Sequence, residues 1–434
     1  MASSSPQTSS NPSPSAKRKR SAASAVATQA RAAAVAPAVI RTPAESARDY
    51  QSVALVLQGG GALGSYQCGV YEGLHAGGIA PDWFVGTSIG AINAAIMAGN
   101  APGQRVERLH QFWDMICEPV GLAAPIAAWV RALLAWSPPY PKLHEWANSL
   151  GALGALAFGQ RGFFQVRQQP PFMLADGSPA ATSFYDTAPL QSTLEQFIDF
   201  DRINARKDGL RLSVGAVQVE TGNSRYFDSA VEKIGPEHIM ASGALPPAFA
   251  AIEIEGKHYW DGGIVSNTPL ECVWNAKPRR NTLVLQVDLW SARGKEPQTM
   301  MDVMERQKDI QYSSRTRLIT DHGASMQKLR LAIADTLAAL PEDALAPHLR
   351  RALAPWACTN VFNIVHLIYQ DKPFETMYKD YAFGIGTQHQ HWADGLADMQ
   401  QTLEHPDFFV KPSHEQGVVT HDVHRIVGMR RRRA

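Results

Sequence analysis

The 434-residue sequence is poor in cysteine, in net charge and in long apolar runs. Its four cysteines are widely spaced and form no C-x-x-C pair, which argues against a disulfide scaffold and predicts reduced thiols in a cytoplasmic protein. The 41 basic residues nearly balance the 40 acidic ones, so the composition provides no general attraction to nucleic acid or to anionic membranes. No apolar run reaches about 18 residues, and no transmembrane helix is expected.

Residues 1–48 differ in composition from the rest of the chain. Ala, Ser, Pro and Thr dominate this segment, and its first acidic residue is Glu45, well after the basic run at residues 17–20. Such a segment buries too little apolar area to offset its ordering entropy, so we predict a disordered basic tail. It also lacks the apolar stretch of a secretory signal. A second basic run at residues 430–433 is interpreted as another solvated segment.

The stretch LVLQGGGALG at residues 55–64 is open to two interpretations. Gly59, Gly61 and Gly64 fit the dinucleotide-binding pattern G-x-G-x-x-G, and a strand-like apolar run precedes them. However, Asp82, the acidic residue at the expected distance, opens the next predicted strand. A ribose-binding acid should instead close that strand, at the carboxyl edge of the sheet. The dinucleotide interpretation is therefore the weaker one.

A second motif follows the next predicted strand. Gly86-Thr87-Ser88-Ile89-Gly90 fits G-x-S-x-G and lies between an apolar strand and a helical run rich in small residues. This arrangement predicts a nucleophile elbow, in which a tight turn presents the Ser88 hydroxyl and Gly86 and Gly90 let the backbone pass. Both glycine-containing loops should meet at the carboxyl edge of the sheet. We therefore expect an oxyanion hole built from the backbone amides of Gly59, Gly60, Gly61 and Ile89.

Residues 51–291 carry an alternating strand and helix pattern, and the remainder is mostly helical in texture. Strands are predicted at 53–57, 83–85, 210–219 and 282–289, the last of which is expected to end the sheet. An amphipathic helix should stop at Pro341, and the apolar run at 361–369 could return to the sheet edge. The apolar, aromatic stretch at 121–175 is interpreted mainly as core packing, with an acyl-chain cover as the functional alternative.

The stretch YWDGGIVSNTPL contains a candidate partner for Ser88. Asp261 follows an apolar pair and precedes Gly262 and Gly263, which would let the carboxylate approach another loop closely. An ordinary Asp-Gly turn has the same pattern, so this stretch alone leaves both interpretations open.

The histidines show no recognisable catalytic or metal-binding context. His238 and His258 lie near Asp261 in the sequence but are interpreted as structural or surface residues. His389 and His391 are two ligands at most, too few to predict a zinc site. We expect neither a metal nor a cofactor.

Four blocks, in order, resemble the patatin-like phospholipases across residues 51–290: GGGALGSYQCGVYEGL, GTSIGAINAA, ASGALPPAFAAIEIEGKHYWDGG and DGGIVSNTPL. The resemblance implies a three-layer α/β/α sandwich with a mainly parallel sheet. It also implies a serine–aspartate dyad without histidine, with Ser88 as nucleophile and Asp261 as proton acceptor. Many members have a basic residue after the glycine triplet, where this chain has Leu63.

These observations predict a serine esterase that cleaves carboxylic esters of lipids through an acyl-serine intermediate. An intracellular polyhydroxyalkanoate depolymerase and an acyltransferase with the same dyad are the alternatives. A scaffold that binds nucleic acid through its basic tail is the non-enzymatic alternative, which the intact motifs disfavour. The expected partners are a lipid or other acyl ester and, peripherally, a membrane, with no nucleic acid. The predicted division is a tail at 1–48, a catalytic domain at 51–291 and a C-terminal accessory region at 292–434.

Overall fold

The computed structural model describes residues 41–118 and 154–424, except residues 371, 373, 374 and 376 and the side chains of residues 314–317. Most of the predicted tail, the basic run at 430–433 and residues 121–153 of the apolar stretch lie outside the described residues. The tail prediction is wrong at its C-terminal end, because Pro43–Ala47 forms a helix whose Ala47 is buried. A capping box between Thr42 and Glu45 starts this helix.

Eleven strands are described: β1 Ser52–Leu57, β2 Trp83–Thr87, β3 Gln165–Val166, β4 Tyr185–Asp186, β5 Arg211–Gln218, β6 Ser224–Asp228, β7 Ile252–Ile254, β8 Lys257–Asp261, β9 Thr282–Asp288, β10 Phe362–Ile368 and β11 Val418–Asp422. The α-helices described with both ends are α1 Pro43–Ala47, α2 Ser65–Ala76, α3 Ile89–Ala98, α4 Arg105–Ile116, α5 Ala188–Phe197, α6 Phe200–Asn204, α7 Pro236–Ser242, α8 Leu270–Trp274, α9 Met300–Ala339, α10 Pro347–Leu353 and α11 Ile385–Leu403.

The central sheet of the described chain has nine strands, in the order β11-β10-β9-β1-β2-β5-β8-β7, with β6 also paired to β5. The six strands from β11 to β5 are parallel, and β6, β7 and β8 add antiparallel pairings on one side. The chain extends from β1 to β2 on one side and later returns as β9 on the other. The carboxyl ends of β1 and β9 therefore flank a topological switch point, where open α/β sheets place their ligand crevices.

Apolar side chains on both faces of the sheet make three layers. Along β1, Leu55 and Leu57 belong to one core cluster, while Ala54 and Val56 belong to a second. The first cluster contains buried residues of α2, α3, α4 and α11, and the second contains residues of α8. A continuous apolar run such as β1 is what a strand covered on both faces requires. The predicted α/β/α sandwich with a mainly parallel sheet is confirmed.

The C-terminal region is largely helical, as predicted, but it also completes the sheet. The expectation that the strand at 282–289 ends the sheet is wrong, because β10 pairs with β9 and β11 forms the outer strand. The predicted amphipathic helix is α9, which ends at Ala339 before Pro341 but begins as early as Met300.

Asp82 has a structural role at the edge of the sheet opposite the glycine loop. Its carboxylate accepts hydrogen bonds from the Ser52 hydroxyl and the Val53 amide, each at 2.8 Å, at the start of β1. Asp82 therefore lies at the amino edge, away from the glycine loop. Among the helices described, none is both long and apolar enough to cross a membrane.

Candidate active site

Ser88 occupies a strained turn between β2 and α3. Its φ angle is +56°, a left-handed conformation that few residues other than glycine adopt. The flanking glycines are a steric requirement, because a Cβ at Gly86 would lie 2.2 Å from the Gly90 carbonyl oxygen. A Cβ at Gly90 would lie 2.4 Å from the carbonyl oxygen of Leu57 in β1. The local geometry is that of a nucleophile elbow.

Asp261 lies at the end of β8, beside Ser88. Its carboxylate accepts a hydrogen bond from the Gly263 amide at 2.7 Å, and the Ser88 side chain, which lines the same pocket, favours its ionised form. The residue is only 3 % exposed, and this burial raises the pKa of Asp261 to about 7. Gly262 permits the approach, since a Cβ there would lie 2.6 Å from the Gly215 carbonyl oxygen of β5. A buried carboxylate with this pKa is suited to accept a proton near neutral pH.

The glycine loop after β1 provides donors beside Ser88, but not all of those predicted. The Gly59 amide donates to the Asn267 carbonyl at 3.3 Å, so it is not free to bind an oxyanion as predicted. The amides of Gly60, Gly61 and Ile89 donate to no acceptor in the described part of the chain. Gly59 instead allows close packing, because a Cβ there would lie 2.9 Å from the Ser88 Cβ.

Gly61 is the one position in this loop that requires a left-handed backbone. Its φ is +56°, and a Cβ would lie 2.2 Å from the Asp380 carbonyl oxygen. The contact is with backbone, so a side chain could not be accommodated by a simple rotamer change. The loop is thus shaped by a residue more than 300 positions away in the sequence.

Buried polar side chains hold the glycine loop in place. Asn267 Nδ2 and Trp290 Nε1 both donate to the Gly59 carbonyl, at 3.0 and 2.8 Å. Gln58 accepts from the amides of Leu289 and Trp290, at 2.6 and 3.0 Å, and so ties the end of β1 to the end of β9. These hydrogen bonds tie the glycine loop to β9 and to Asn267 and favour a single arrangement of its backbone.

Ser242 supports the elbow from below. Its hydroxyl accepts from the Ser88 amide at 2.9 Å and donates to the Gly215 carbonyl at 2.6 Å. The side chain is fully buried at the end of α7. This bridge connects the strained turn to β5, next to the strand that carries Asp261.

An apolar pocket opens onto Ser88 and Asp261 and encloses about 720 Å³, its open mouth included. Aromatic residues make much of its wall: Phe163, Phe164, Phe249, Trp290, Tyr312, Tyr381 and Phe383. The rings of Phe163 and Phe383 are 6.1 Å apart and join residues from the two halves of the chain. The ionisable side chains of the described lining are two aspartates and two tyrosines, with no lysine, arginine or histidine. The pocket is suited to an uncharged acyl chain.

Ion pairs fasten the C-terminal wall to α9. Lys308 contacts the Asp380 carboxylate, and buried Lys379 contacts Asp309 at 2.7 Å. Burial raises the pKa of Asp380, although Lys308 opposes the shift. Paired charges of this kind are costly to break, because the remaining partner stays buried.

The candidate histidines lie outside the described lining of the pocket that holds Ser88 and Asp261. His258 is half exposed and bonds to Glu220 at 3.2 Å, while the ring of buried His238 accepts from the Gly235 amide at 2.9 Å. His391 is buried against Glu375, and His389 is exposed on the same helix. In the described ranges, no group of three or more histidine, cysteine or acidic residues is arranged to hold a metal ion.

Several site residues gave no sequence signal of their own. Ser242 and Asn267 lie inside the blocks ASGALPP and DGGIVSNTPL, which drew attention only to their neighbours. Trp290 directly follows the predicted strand at 282–289, at the carboxyl edge, and this position could have indicated it. Tyr312, Asp380, Tyr381 and Phe383 come from the region to which sequence reasoning assigned no chemistry.

Comparisons with known proteins agree with this architecture. The family model described as Patatin-like phospholipase matches residues 55–274, about half of the chain. A second model, DUF3734, described as Patatin phospholipase, matches residues 310–415. The search of curated proteins found no match.

Two solved structures match this chain at low similarity. VipD from Legionella pneumophila is 12% identical, with a TM-score of 0.36, and the match covers 86% of this chain and 72% of that one. A chain in the complex of full-length SpcU with full-length ExoU, from the type III secretion system of Pseudomonas aeruginosa, is 15% identical, with a TM-score of 0.21. That match covers 70% of this chain and 60% of the other.

Proposed function

This chain belongs to the patatin-like phospholipase family and is a lipid acyl hydrolase, and we propose that it cleaves carboxylic esters of lipids through an acyl-serine intermediate on Ser88. The observation that carries the proposal is that the strained Ser88 and the buried carboxylate of Asp261 line one pocket, where the Ser88 side chain lowers the pKa of Asp261. The apolar pocket and the free amides beside Ser88 support it.

The proposed mechanism has two half-reactions. In the first, Ser88 Oγ attacks the ester carbonyl carbon while Asp261 accepts the hydroxyl proton. The amides of Gly60, Gly61 and Ile89 stabilise the oxyanion, and the alcohol leaves with the proton held by Asp261. In the second, water attacks the acyl-serine as Asp261 takes its proton. Collapse of the intermediate releases the acid and returns the proton to Ser88.

A dyad is favoured over a triad because histidine is missing from the described pocket lining. In a triad, the aspartate orients an imidazole and does not itself accept the proton. Here the carboxylate shares the described pocket lining with Ser88, and its pKa of about 7 gives it a basicity that an exposed aspartate lacks.

The pocket lining is better suited to recognise the acyl chain of an ester than a phosphate group on the substrate. Leu63, at the position where many family members have a basic residue, is fully buried. The described lining contains no lysine, arginine or histidine, and the nearby cations Lys308 and Lys379 are already paired with Asp380 and Asp309. We therefore propose that recognition is centred on the acyl chain. A panel of p-nitrophenyl esters, phospholipids and polyhydroxybutyrate, with and without an alcohol acceptor, distinguishes lipid esterase, depolymerase and acyltransferase activities.

A fluorophosphonate probe tests the nucleophile. We expect covalent labelling of Ser88, loss of labelling in Ser88→Ala, and a fall in esterase activity of about a thousandfold or more. His238→Gln and His258→Gln are the matched controls, which should keep most of the activity once folding is verified. Labelling of a different serine would contradict the assignment. A folded histidine variant as inactive as Ser88→Ala would replace the dyad by a triad.

A further inference from the structure

An apolar loop tip lies next to the pocket. Phe172 and Met173 are 88 % and 80 % exposed, and they form a short 3₁₀ turn with Pro171. Phe184, itself 42 % exposed, packs against Phe172 with ring centroids 6.1 Å apart. Single exposed apolar residues are common on protein surfaces, but neighbouring large ones at one tip usually indicate an interaction site.

The tip is continuous with the rim of the pocket. The amides of Phe184 and Tyr185 donate to the carbonyls of Pro247 and Ala248, at 3.3 and 3.0 Å. Ala248 and the adjacent Phe249 line the pocket. Whatever binds the tip therefore lies beside the chain segment that forms this part of the pocket lining.

The charge around the tip favours an uncharged partner. Residues 159–187 contain two basic and two acidic side chains: Arg161, Arg167, Asp176 and Asp186. Arg167 is already bonded to the Ser183 hydroxyl at 3.0 Å. With no excess of either sign, apolar burial is left as the main driving force.

We propose that the tip formed by Phe172, Met173 and Phe184 inserts into a lipid surface and brings the pocket mouth onto it. This proposal rests on the proposed function, since an enzyme for lipid esters must meet its substrate at an aggregate of lipids. The tip buries its apolar side chains among acyl chains, and a lipid then passes from the surface to Ser88 along the rim. Interfacial binding of this kind needs aromatic and aliphatic side chains at the contact and no specific headgroup.

Vesicle binding by the full chain tests the proposal. Phosphatidylcholine vesicles are mixed with the wild type, with the double variant Phe172→Asp/Met173→Asp and with the control Val231→Asp. Val231 is 79 % exposed but follows β6, near the amino end of β5 and so at the opposite edge of the sheet from the pocket. We expect the double variant to lose vesicle binding by about tenfold or more, because burial of one large apolar side chain already contributes that much.

Two further measurements identify the mechanism of the loss. Hydrolysis of soluble p-nitrophenyl butyrate should stay within about twofold in all variants, because the tip lies outside the pocket lining. In contrast, hydrolysis of esters presented in vesicles should fall with binding. A Phe172→Trp variant should bind like the wild type and add fluorescence that brominated lipids quench.

The alternatives give different results. Vesicle binding by the double variant equal to that of Val231→Asp, or no binding by the wild type, would overturn the proposal. A wild-type dimer that becomes a monomer in the double variant, without vesicle binding, would instead assign the tip to a second copy of the chain. Tip-dependent vesicle binding without any ester hydrolysis would leave the docking surface standing and remove the proposed function.

Discussion

At the scale of single residues, burial gives Asp261 the basicity that the proposed mechanism requires. Asp261 is enclosed by β5, the glycine loop and the pocket wall, and desolvation is the main cause of its raised pKa. The neighbouring Ser88 side chain and the donating Gly263 amide act in the opposite direction and lower the pKa. The resulting value of about 7 balances basicity against ionisation, so that a large part of the enzyme carries the reactive carboxylate at neutral pH.

The same shift makes the unfolding free energy depend on pH. Because the folded pKa of Asp261 lies above the unfolded value of about 3.9, its contribution to stability is fully present below pH 4 and is lost as pH rises through about 7. Asp261→Asn has no ionisation. The wild type therefore loses stability between pH 5 and pH 8, whereas the variant does not lose this contribution. We expect the free energy of unfolding of Asp261→Asn minus that of the wild type to be about 3 kcal/mol larger at pH 8 than at pH 5.

Urea denaturation of both proteins at the two pH values measures this difference. Taking the difference between wild type and variant removes the contributions of other groups, such as Asp380. In activity, Asp261→Asn should fall close to Ser88→Ala, while the wild type shows an acidic limb near pH 7. An equal stability difference at both pH values would argue that Asp261 is not a desolvated carboxylate.

At the scale of elements, two helices cross in direct backbone contact behind the glycine loop. A Cβ at Gly69 in α2 would lie 1.9 Å from the Trp392 carbonyl oxygen in α11. A Cβ at Gly395 in α11 would lie 2.0 Å from the Tyr66 carbonyl oxygen in α2. Because α2 begins directly after the loop, this crossing connects the C-terminal region to the catalytic groups.

We predict that Gly69→Ala destabilises the protein by roughly 1–3 kcal/mol, because backbone must move to admit a methyl group. The matched control is Gly386→Ala on α11, where a Cβ meets nothing within 4 Å. That variant should be neutral or up to about 1 kcal/mol more stable, since alanine favours a helix more than glycine does. Thermal unfolding of both variants measures the contrast. Similar melting temperatures for the two would contradict the proposed close contact.

Elements governed by local pattern could be predicted from the sequence, whereas those defined by distant contacts could not. The elbow at Ser88 and the strands of the N-terminal half follow from apolar runs and glycine spacing. The place of β10 inside the sheet depends on pairing with β9, some 80 residues earlier. Likewise, the Gly59 amide is occupied because it donates to the Asn267 carbonyl, more than 200 residues away in the sequence. From the sequence alone, Gly69 is only a weak helix former, and no pattern indicates that it packs against Trp392.

At the scale of the whole molecule, the two regions separated by sequence analysis share one sheet and one pocket. We propose that residues 51–291 carry the catalytic groups and that residues 292–434 complete the structure around them. Strands β10 and β11 cover the flank of β9, and Tyr381 and Phe383 close one side of the pocket. The contact of Asp380 with Gly61 then makes the shape of the glycine loop depend on the C-terminal region.

A chain that ends at residue 291 should therefore neither fold cooperatively nor hydrolyse esters. It would expose β9 as a bare edge and lose the buried side chains of β10, including Phe362, Ile364, Val365 and Leu367. Burial of each such side chain contributes about 1.5–3 kcal/mol, so the loss rivals the roughly 5–15 kcal/mol by which most domains are stable. Near-UV circular dichroism and urea denaturation measure folding, and p-nitrophenyl butyrate measures activity. Co-expression of residues 292–434 is the control and should restore both. A truncated chain that folds cooperatively and is active alone would instead make the C-terminal region a separable accessory domain.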